Sequence, residues 1–326
     1  MAVVTIRDVA DAAGVSVATV SRVLNGVATV DPDLAAQVRA AADSLGYVPN
    51  GVGRALRLQQ MNAWALVVSE LNAFISSLVA SIEAAAEEVG TSVYLGITGY
   101  DREREQRYLR AARSQRVSGL IAGYATGPDQ YRDAGIPLVS VDRWFPGAAH
   151  DSVATDNRAA GRLMAGHLHE RGLRRAACIG HLDPGTPVAE RIEGFRDAWL
   201  ALGLPAPVEQ LGSKRPGIAD GKAAMQHLLS SDEPPEAVFC ANGPLTQGAY
   251  LGLQCQGAAP VALTGVDDEE WTSLASPSIT VVRQPVREIG RATARLLTER
   301  IAGATGPARQ VVIAPDLVIR ASTAPR

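Results

Sequence analysis

The residues of this 326-residue chain whose types could do chemistry are a carboxylate pair, two close histidines, three cysteines and a few well-placed arginines. Asp267-Asp268 could act as an acid–base pair, yet no nucleophile or base motif accompanies it. His167 and His169 stand two apart on an expected helix, where side chains diverge and cannot face one metal, so both are read as surface residues. Cys178, Cys240 and Cys255 are far apart with no CxxC pair, which argues against a zinc finger or a disulfide framework and suits a reducing compartment. The P-loop, GxSxG, HExxH and the glycine fingerprint of dinucleotide binding are all missing from the sequence. No catalytic residue, metal site or cofactor is therefore expected. Arginine remains, as a fork that matches guanine or phosphate: Arg22 on an expected helix, with Arg54 and Arg57 shortly after another.

The elements that would position those arginines are three short helices. Thr5 can cap the first, with Asp8 as the acidic half of a capping box, and Ile6, Val9, Ala10 and Ala13 make one apolar stripe. Gly14 ends it. Ser16 caps a second helix, whose Val20, Val23 and Leu24 face inward until Asn25-Gly26. Asp31 and Pro32 open a third, running to Leu45 and closed by Gly46. Two short helices joined by a tight glycine turn with a third behind them is the plan of a helix-turn-helix module, though periodicity alone would equally fit another small helical bundle. Charge does not decide between them. Arg7, Arg22, Arg39, Arg54 and Arg57 are matched by Asp8, Asp11, Asp31, Asp33 and Asp43.

The strings TIRDVADAAGVSVATVSRVLNG and RAAADSLGYVPNGVGRALR decide it, because they resemble the head of the lac/gal repressor family of bacterial transcription regulators. The resemblance implies that the second helix lies in the major groove of double-stranded operator DNA and that Val17, Ala18 and Arg22 contact bases. Arg22 would take guanine, while Val17 and Ala18 offer only apolar contact, for example to a thymine methyl. Thr5, Ser16, Thr19, Ser21, Asn25 and Tyr47 would contact phosphate and set register without reading sequence. The segment from Pro49 to Leu56 resembles the family's hinge helix, placing Asn50, Val52, Arg54, Ala55 and Leu56 in the minor groove, with Leu56 wedging a central pyrimidine–purine step. Gly53 stands where alanine is common, and glycine within a helix costs about 1 kcal/mol relative to alanine. One head reads one half-site, so a homodimer on a near-palindromic operator is expected.

Beyond residue 60 short apolar runs alternate with amphipathic stretches. WALVV, SVYLGI, GLIAG and PLVSVD read as strands, with helices after Phe74, Glu103 and Asp129. RAACIG, AVFCA and VALTGV form a second series, with helices after Arg158, Pro187, Ala219 and Pro244. Such alternation implies parallel sheets with helices on both faces, in two lobes flanking a cleft where ligands meet strand ends. Hydrophobic residues at 47%, charged residues at 20% and a net charge of −3 fit a globular protein and exclude wholesale disorder. The opening MAVVTIRDVADAAG lacks the cationic and apolar regions of a secretory signal, and no apolar run reaches bilayer length, so a cytoplasmic protein with no membrane partner is expected.

This second part is also similar to the family, through NAFISS at 72, VDRWFPG at 141, DNRAAGRLMAGHL at 156, ERIEGF at 190, CANGPLTQGA at 240, TGVDDEEW at 264 and TVVRQP at 280. It implies a periplasmic-binding-protein-like α/β domain behind an all-α helix-turn-helix head. The expected division is a head over 1–47, hinge and linker over 48–60, and an effector domain over 61–326. Its N-lobe would take about 61–158 plus 286–311 and its C-lobe about 159–285 plus 312–326. In the cleft, Phe74 and Ile75 would face an apolar ring face, Arg191 would clamp, and Asn242, Asp267 and Gln284 would serve hydroxyls, with Tyr124 and Asp142 as further contacts. These groups suit a sugar-like effector. The sequence departs from the pattern at Ala73 for proline, Ile75 for an aromatic, Gly243 for aspartate, and Lys214-Arg215 for an aromatic. A less aromatic, differently charged pocket suits a modified or acidic sugar. The whole reads as a ligand-controlled transcription regulator, a repressor of a carbohydrate uptake or catabolic operon. A sugar-binding transport protein and a sugar-processing enzyme are the rivals, the first opposed by the helix-turn-helix head and the second by the missing catalytic motifs.

Overall fold

The computed structural model describes residues 4–24, 30–47, 61–123, 127–131, 135–145, 147–211, 217–255 and 261–325. Contacts divide the chain into two units, Met1–Met61 and Asn62–Arg326. The first holds α1 (Ile6–Ala12), α2 (Val17–Leu24) and α3 (Pro32–Ser44). Each start is fixed by its cap. Thr5 and Asp8 form the reciprocal capping box, with the Thr5 amide 2.7 Å from Asp8 Oδ2. Ser16 Oγ accepts from the Thr19 amide at 3.1 Å, and Asp31 Oδ1 accepts from Asp33 and Leu34 ahead of Pro32. Gly14 takes φ +62°, a left-handed value that lets the chain turn tightly from α1 to α2. Val9, Ala10, Ala13, Val20, Val23, Val38 and Ala42 form the small core, and Gln37 Nε2 reaches the Ala13 carbonyl at 3.3 Å to tie α3 to the turn.

The second unit contains two six-stranded sheets dominated by parallel pairings. The first is ordered β11-β5-β4-β3-β1-β2, from β1 (Met61–Val68), β2 (Ser92–Ile97), β3 (Val117–Ala122), β4 (Leu138–Val141), β5 (Asp151–Thr155) and β11 (Gln310–Ile313). The second is ordered β12-β10-β9-β8-β6-β7, from β6 (Ala176–Gly180), β7 (Val208–Leu211), β8 (Ala237–Cys240), β9 (Ala262–Val266), β10 (Thr280–Arg283) and β12 (Asp316–Val318), the last antiparallel to β10. α4 (Ala73–Glu88) and α11 (Val286–Ile301) bury Leu78, Ile82, Ile289 and Leu297 on one face of the first sheet, and α5 (Arg102–Ser114) covers the other. α6 (Asn157–Glu170) and α7 (Pro187–Ala201) cover one face of the second sheet through Met164, Phe195 and Trp199. α8 (Ile218–Leu229) and α9 (Gly243–Cys255) cover its other face, and a short α10 (Glu270–Leu274) follows β9.

The chain passes between the sheets three times, after Thr155, after Arg283 and after Ile313. β11 stays in the first sheet to Ile313, so the last crossing falls two residues beyond the expected return at 311. Near the first crossing, buried Asp151 at the start of β5 accepts from Arg300 Nε and Nη2 at 3.0 and 2.7 Å. It also accepts from the Arg309 amide, Nε and Nη2 at 2.8, 3.2 and 2.8 Å. Burial alone would raise this carboxyl's pKa, but the hydrogen bonds from Arg300 and Arg309 outweigh it and hold the group well below the usual carboxylate range.

Two expectations fail here. The helix expected after Asp129 is a single 3-10 turn, Pro128–Tyr131, within the described residues. His167 is not a surface residue: it sits on the inward stripe of α6 with Met164 and Leu168, and Nε2 lies 2.8 Å from Thr323 Oγ1. The buried apolar residues of the same face, Met164 three positions before it and Ala160 a further turn back, rather than the imidazole itself, set its orientation.

Candidate functional site

In the first unit the expected base-contact residues Val17, Ala18 and Arg22 are all exposed on α2. Ala18 and Arg22 are four apart and share one helical face, with Val17 beside them. The hydroxyls of Thr5 and Ser16 are engaged in capping, and Ser16 Oγ also lies 2.9 Å from Thr19 Oγ1. Ser21 is half-buried, and Tyr47 packs its ring against the core of the head. Asn25 and the hinge positions Asn50, Val52, Gly53, Arg54, Ala55 and Leu56 lie outside the described residues, as do Lys214 and Arg215 of the second unit.

In the second unit a cavity of about 280 Å³ opens between the lobes, and Phe74, Ile75, Asp142, Arg191, Asn242, Asp267 and Gln284 all line it. Tyr124, the remaining expected contact, lies outside the described residues. Arg191 stands there because α6 and α7 touch backbone to backbone. A Cβ on Gly161 would fall 2.1 Å from the Arg191 carbonyl, and one on Gly194 would fall 2.2 Å from the Arg158 carbonyl. This approach brings Asn157 Oδ1 to 2.8 Å from Arg191 Nε, while Nη1 donates to the Ala241 carbonyl at 3.0 Å. Arg191 is only 3% exposed and carries five N–H groups, so three remain for the cavity.

Asp142 and Asp267 occupy matching places in the two lobes. Each follows its strand directly, β4 or β9, in the left-handed region with φ +68° and +75°. Each donates its amide to the next strand, at Val153 O and Val282 O. Aspartate tolerates that conformation better than most residues, at a cost of order 1–3 kcal/mol per site. Burial pushes both carboxyls above the usual range, while Arg143 and then Arg191 pull Asp142 the other way and Arg191 and the Gln284 hydrogen bond do the same for Asp267. Burial lowers the pKa of Arg191 in turn and Asp267 and Asp142 raise it. The cleft thus sets two half-buried carboxylates, Asp142 and Asp267, among the buried Arg191 and the half-buried Arg143, donors and acceptors that hydroxyls can meet together.

Gln284, 5% exposed, joins this pair to the crossings: its Nε2 donates to Asp267 Oδ1 at 2.7 Å and its Oε1 accepts from Thr155 Oγ1 at 2.9 Å. Asn242 uses its Oδ1 to cap α9 through the Leu245 amide at 2.8 Å, leaving its amide hydrogens for the cavity. Phe74 is half-buried, while Ile75, 8% exposed, belongs mostly to the core.

Sequence reasoning missed Ser69, Glu70, Asn72, Tyr100, Arg143, His181 and Thr186, which line the same cavity. Asn72 caps α4 through the Ile75 amide and donates to Glu70 Oε1 at 3.0 Å. Burial and the charge of Glu70 raise the Tyr100 pKa. The signal for most of them was their place just past the C-terminal ends of β1, β2, β4 and β6, where open α/β sheets bind ligands. Among the described residues no cluster of His, Cys, Asp or Glu could hold a metal ion, and no helix is long and apolar enough to cross a membrane.

A helix-turn-helix head joined to a two-lobed α/β unit with a polar interlobe cleft defines a ligand-responsive transcription regulator. Residues 5–50 match the model of bacterial regulatory proteins of the lacI family, and residues 165–323 match a periplasmic binding protein-like domain. The ribose operon repressor of Escherichia coli is 34% identical over 98% of this chain and 99% of its own. The helix-turn-helix-type transcriptional regulator DegA of Bacillus subtilis is 30% identical over 98% of each. Among solved structures, the Lac repressor dimer bound to operator and the anti-inducer ONPF matches with a TM-score of 0.83 at 26% identity, over 98% of this chain and 99% of that one. The complex of the transcriptional regulator CelR with cellobiose matches at 0.71 and 30% identity, with the same coverage. The chain belongs to the lacI family of bacterial regulatory proteins.

Proposed function

We propose that this regulator is a cytoplasmic repressor of a carbohydrate uptake or catabolic operon, that it binds a near-palindromic operator as a homodimer, and that a sugar-like effector in the interlobe cleft controls it. The observation that carries this reading is the buried Arg191 between the half-buried Asp142 and Asp267, with the Asn242 amide beside them and Phe74 on one wall. Acceptors, donors and one aromatic face around a small cavity are what a polyol needs, since its hydroxyls both donate and accept while its ring carbons present an apolar face. Ribose and Lac repressors among the relatives and a cellobiose complex among the similar structures support the same ligand class. The protein acts by binding alone, with no catalytic step.

On the DNA side, Arg22 is the polar base reader, Val17 and Ala18 are apolar contacts, and Thr5, Ser16, Thr19, Ser21, Asn25 and Tyr47 touch phosphate. Asn50, Val52, Arg54, Ala55 and Leu56 enter the minor groove. A selection from random duplexes followed by gel shifts at one fixed salt concentration tests this. The selected site should show dyad symmetry. Arg22→Ala should weaken binding to it by about 1–3 kcal/mol, the value of a bidentate contact to guanine. Random DNA should lose much less, because phosphate contacts dominate there. A site without a dyad, or equal losses on both DNAs, would overturn the assignment.

A further inference from the structure

The cleft has a side chamber. A cavity of about 170 Å³ shares Asp142, Arg143 and Pro187 with the cleft and continues past them to Trp144, Asn157 and Glu190. Trp144 follows directly on the cleft residues Asp142 and Arg143 and is 40% exposed, while Phe145 beside it packs against an apolar core. An indole left at the wall of a cavity is a large apolar surface held in water, which a ligand gains by covering.

The polar side of the chamber is built on the same frame as the clamp. Asn157 is buried and uses both ends of its amide. Its Oδ1 accepts from Arg191 Nε at 2.8 Å, and its Nδ2 donates to Glu190 Oε2 at 3.3 Å. Glu190 and Arg191 are successive residues of α7, about 100° apart around the helix axis. Arg191 therefore lines the cleft and Glu190 the chamber. The half-buried Arg143 lines both. The chamber thus repeats the chemistry of the cleft: an aromatic wall, a carboxylate held by a hydrogen bond, and an arginine.

We infer that Trp144 and Glu190 form a second sugar subsite, and that the effector is a disaccharide rather than a monosaccharide. The inference rests on the sugar reading of the cleft. One ring lies among Phe74, Arg191, Asn242 and Asp267. The glycosidic bond passes Asp142 and Arg143, and the second ring sets its carbon face against Trp144 with hydroxyls toward Glu190. Another cavity, sharing Phe74, Asp267 and Gln284 with the cleft, also holds a tryptophan, Trp271. That indole is already engaged: it packs against Tyr250 with ring centroids 5.9 Å apart, and its Nε1 donates to Glu269 at 3.0 Å. It serves as the internal comparison.

The test is calorimetric titration of the full-length protein with glucose, galactose, mannose and fructose, and with cellobiose, maltose, lactose, melibiose, mannobiose and sucrose. At least one disaccharide should bind about tenfold tighter than either of its constituent sugars. Trp144→Ala should erase that advantage while affinity for the constituents stays within a few-fold. Trp144→Phe keeps an aromatic face and should retain most of it, and Trp271→Ala should leave it unchanged. Thermal unfolding of each unliganded variant reports that it is folded. A monosaccharide that binds as tightly as every disaccharide containing it would overturn the inference and leave the sugar reading standing. So would an advantage that survives Trp144→Ala or is lost in Trp271→Ala. Silence of the wild type to every sugar would overturn the sugar reading itself.

Discussion

Replacing Arg191 with alanine should abolish the response to effector while the head still binds operator. The side chain is buried, and two of its donors are spent on Asn157 and Ala241, so its placement does not depend on a ligand being present. Its loss removes the remaining donors from the cavity, takes the guanidinium away from Asp267 and leaves Asp142 with Arg143. A hydrogen bond to a charged group is worth about 1.5–3 kcal/mol, so losing two of them should lower effector affinity by at least about a hundredfold. Arg191→Lys retains charge but cannot reach Asn157, Ala241 and a ligand together, and should be intermediate. Calorimetry with the effector and gel shifts with and without it measure both quantities. Wild-type release from operator by the alanine variant would remove Arg191 from the site.

The second large effect lies in the frame of the molecule. Asp151 receives hydrogen bonds from two arginines on two different segments, and its side chain is fully buried. Asp151→Ala should destabilise the second unit by about 3 kcal/mol, at the lower end of the range for breaking a buried pair because Arg300 and Arg309 can recover part of their solvation. The same site gives a pH dependence. A carboxyl whose folded pKa lies below its unfolded value of about 3.9 contributes fully above that value, and its contribution is lost as pH falls toward the folded pKa. Urea unfolding should therefore show wild type losing stability between about pH 4 and pH 2 more steeply than Asp151→Asn does. Parallel slopes for the two proteins would show that the pair contributes nothing to stability.

What could be read in the sequence follows how local each determinant is. The head was legible because caps and turns act within three or four residues: Thr5 with Asp8, Ser16 with Thr19, Asp31 before Pro32, and Gly14 at a left-handed turn. The buried strands of the second unit were legible as apolar runs, whereas Asp151–Thr155, Val208–Leu211 and Thr280–Arg283 are short and mixed in polarity. The candidate effector residues inside family-like strings line one cavity, while Tyr124, outside those strings, lies outside the described residues. Glu70, Tyr100, His181 and Thr186 come from turns whose positions depend on which strands are neighbours, a long-range property that no window reports. His167 was misread for a related reason. A polar side chain on an apolar stripe goes where the stripe goes, and its partner Thr323 is far away in sequence.

The crossings between the sheets have a consequence for how the protein is made. The face of the first sheet that carries Leu66, Ile121 and Val139 is covered partly by α11, and the edge beside β5 is paired with β11. Both elements follow the second lobe in the chain, so a ribosome must synthesise nearly all of that lobe first. At about 5–20 residues per second that face stays open for roughly ten seconds, a natural place for a chaperone to hold the nascent chain. The second sheet receives its last strand, β12, after β11 in the chain. The three helices of the head, encoded first and joined by local contacts, need not wait for either. Control by ligand is the last property the growing chain acquires.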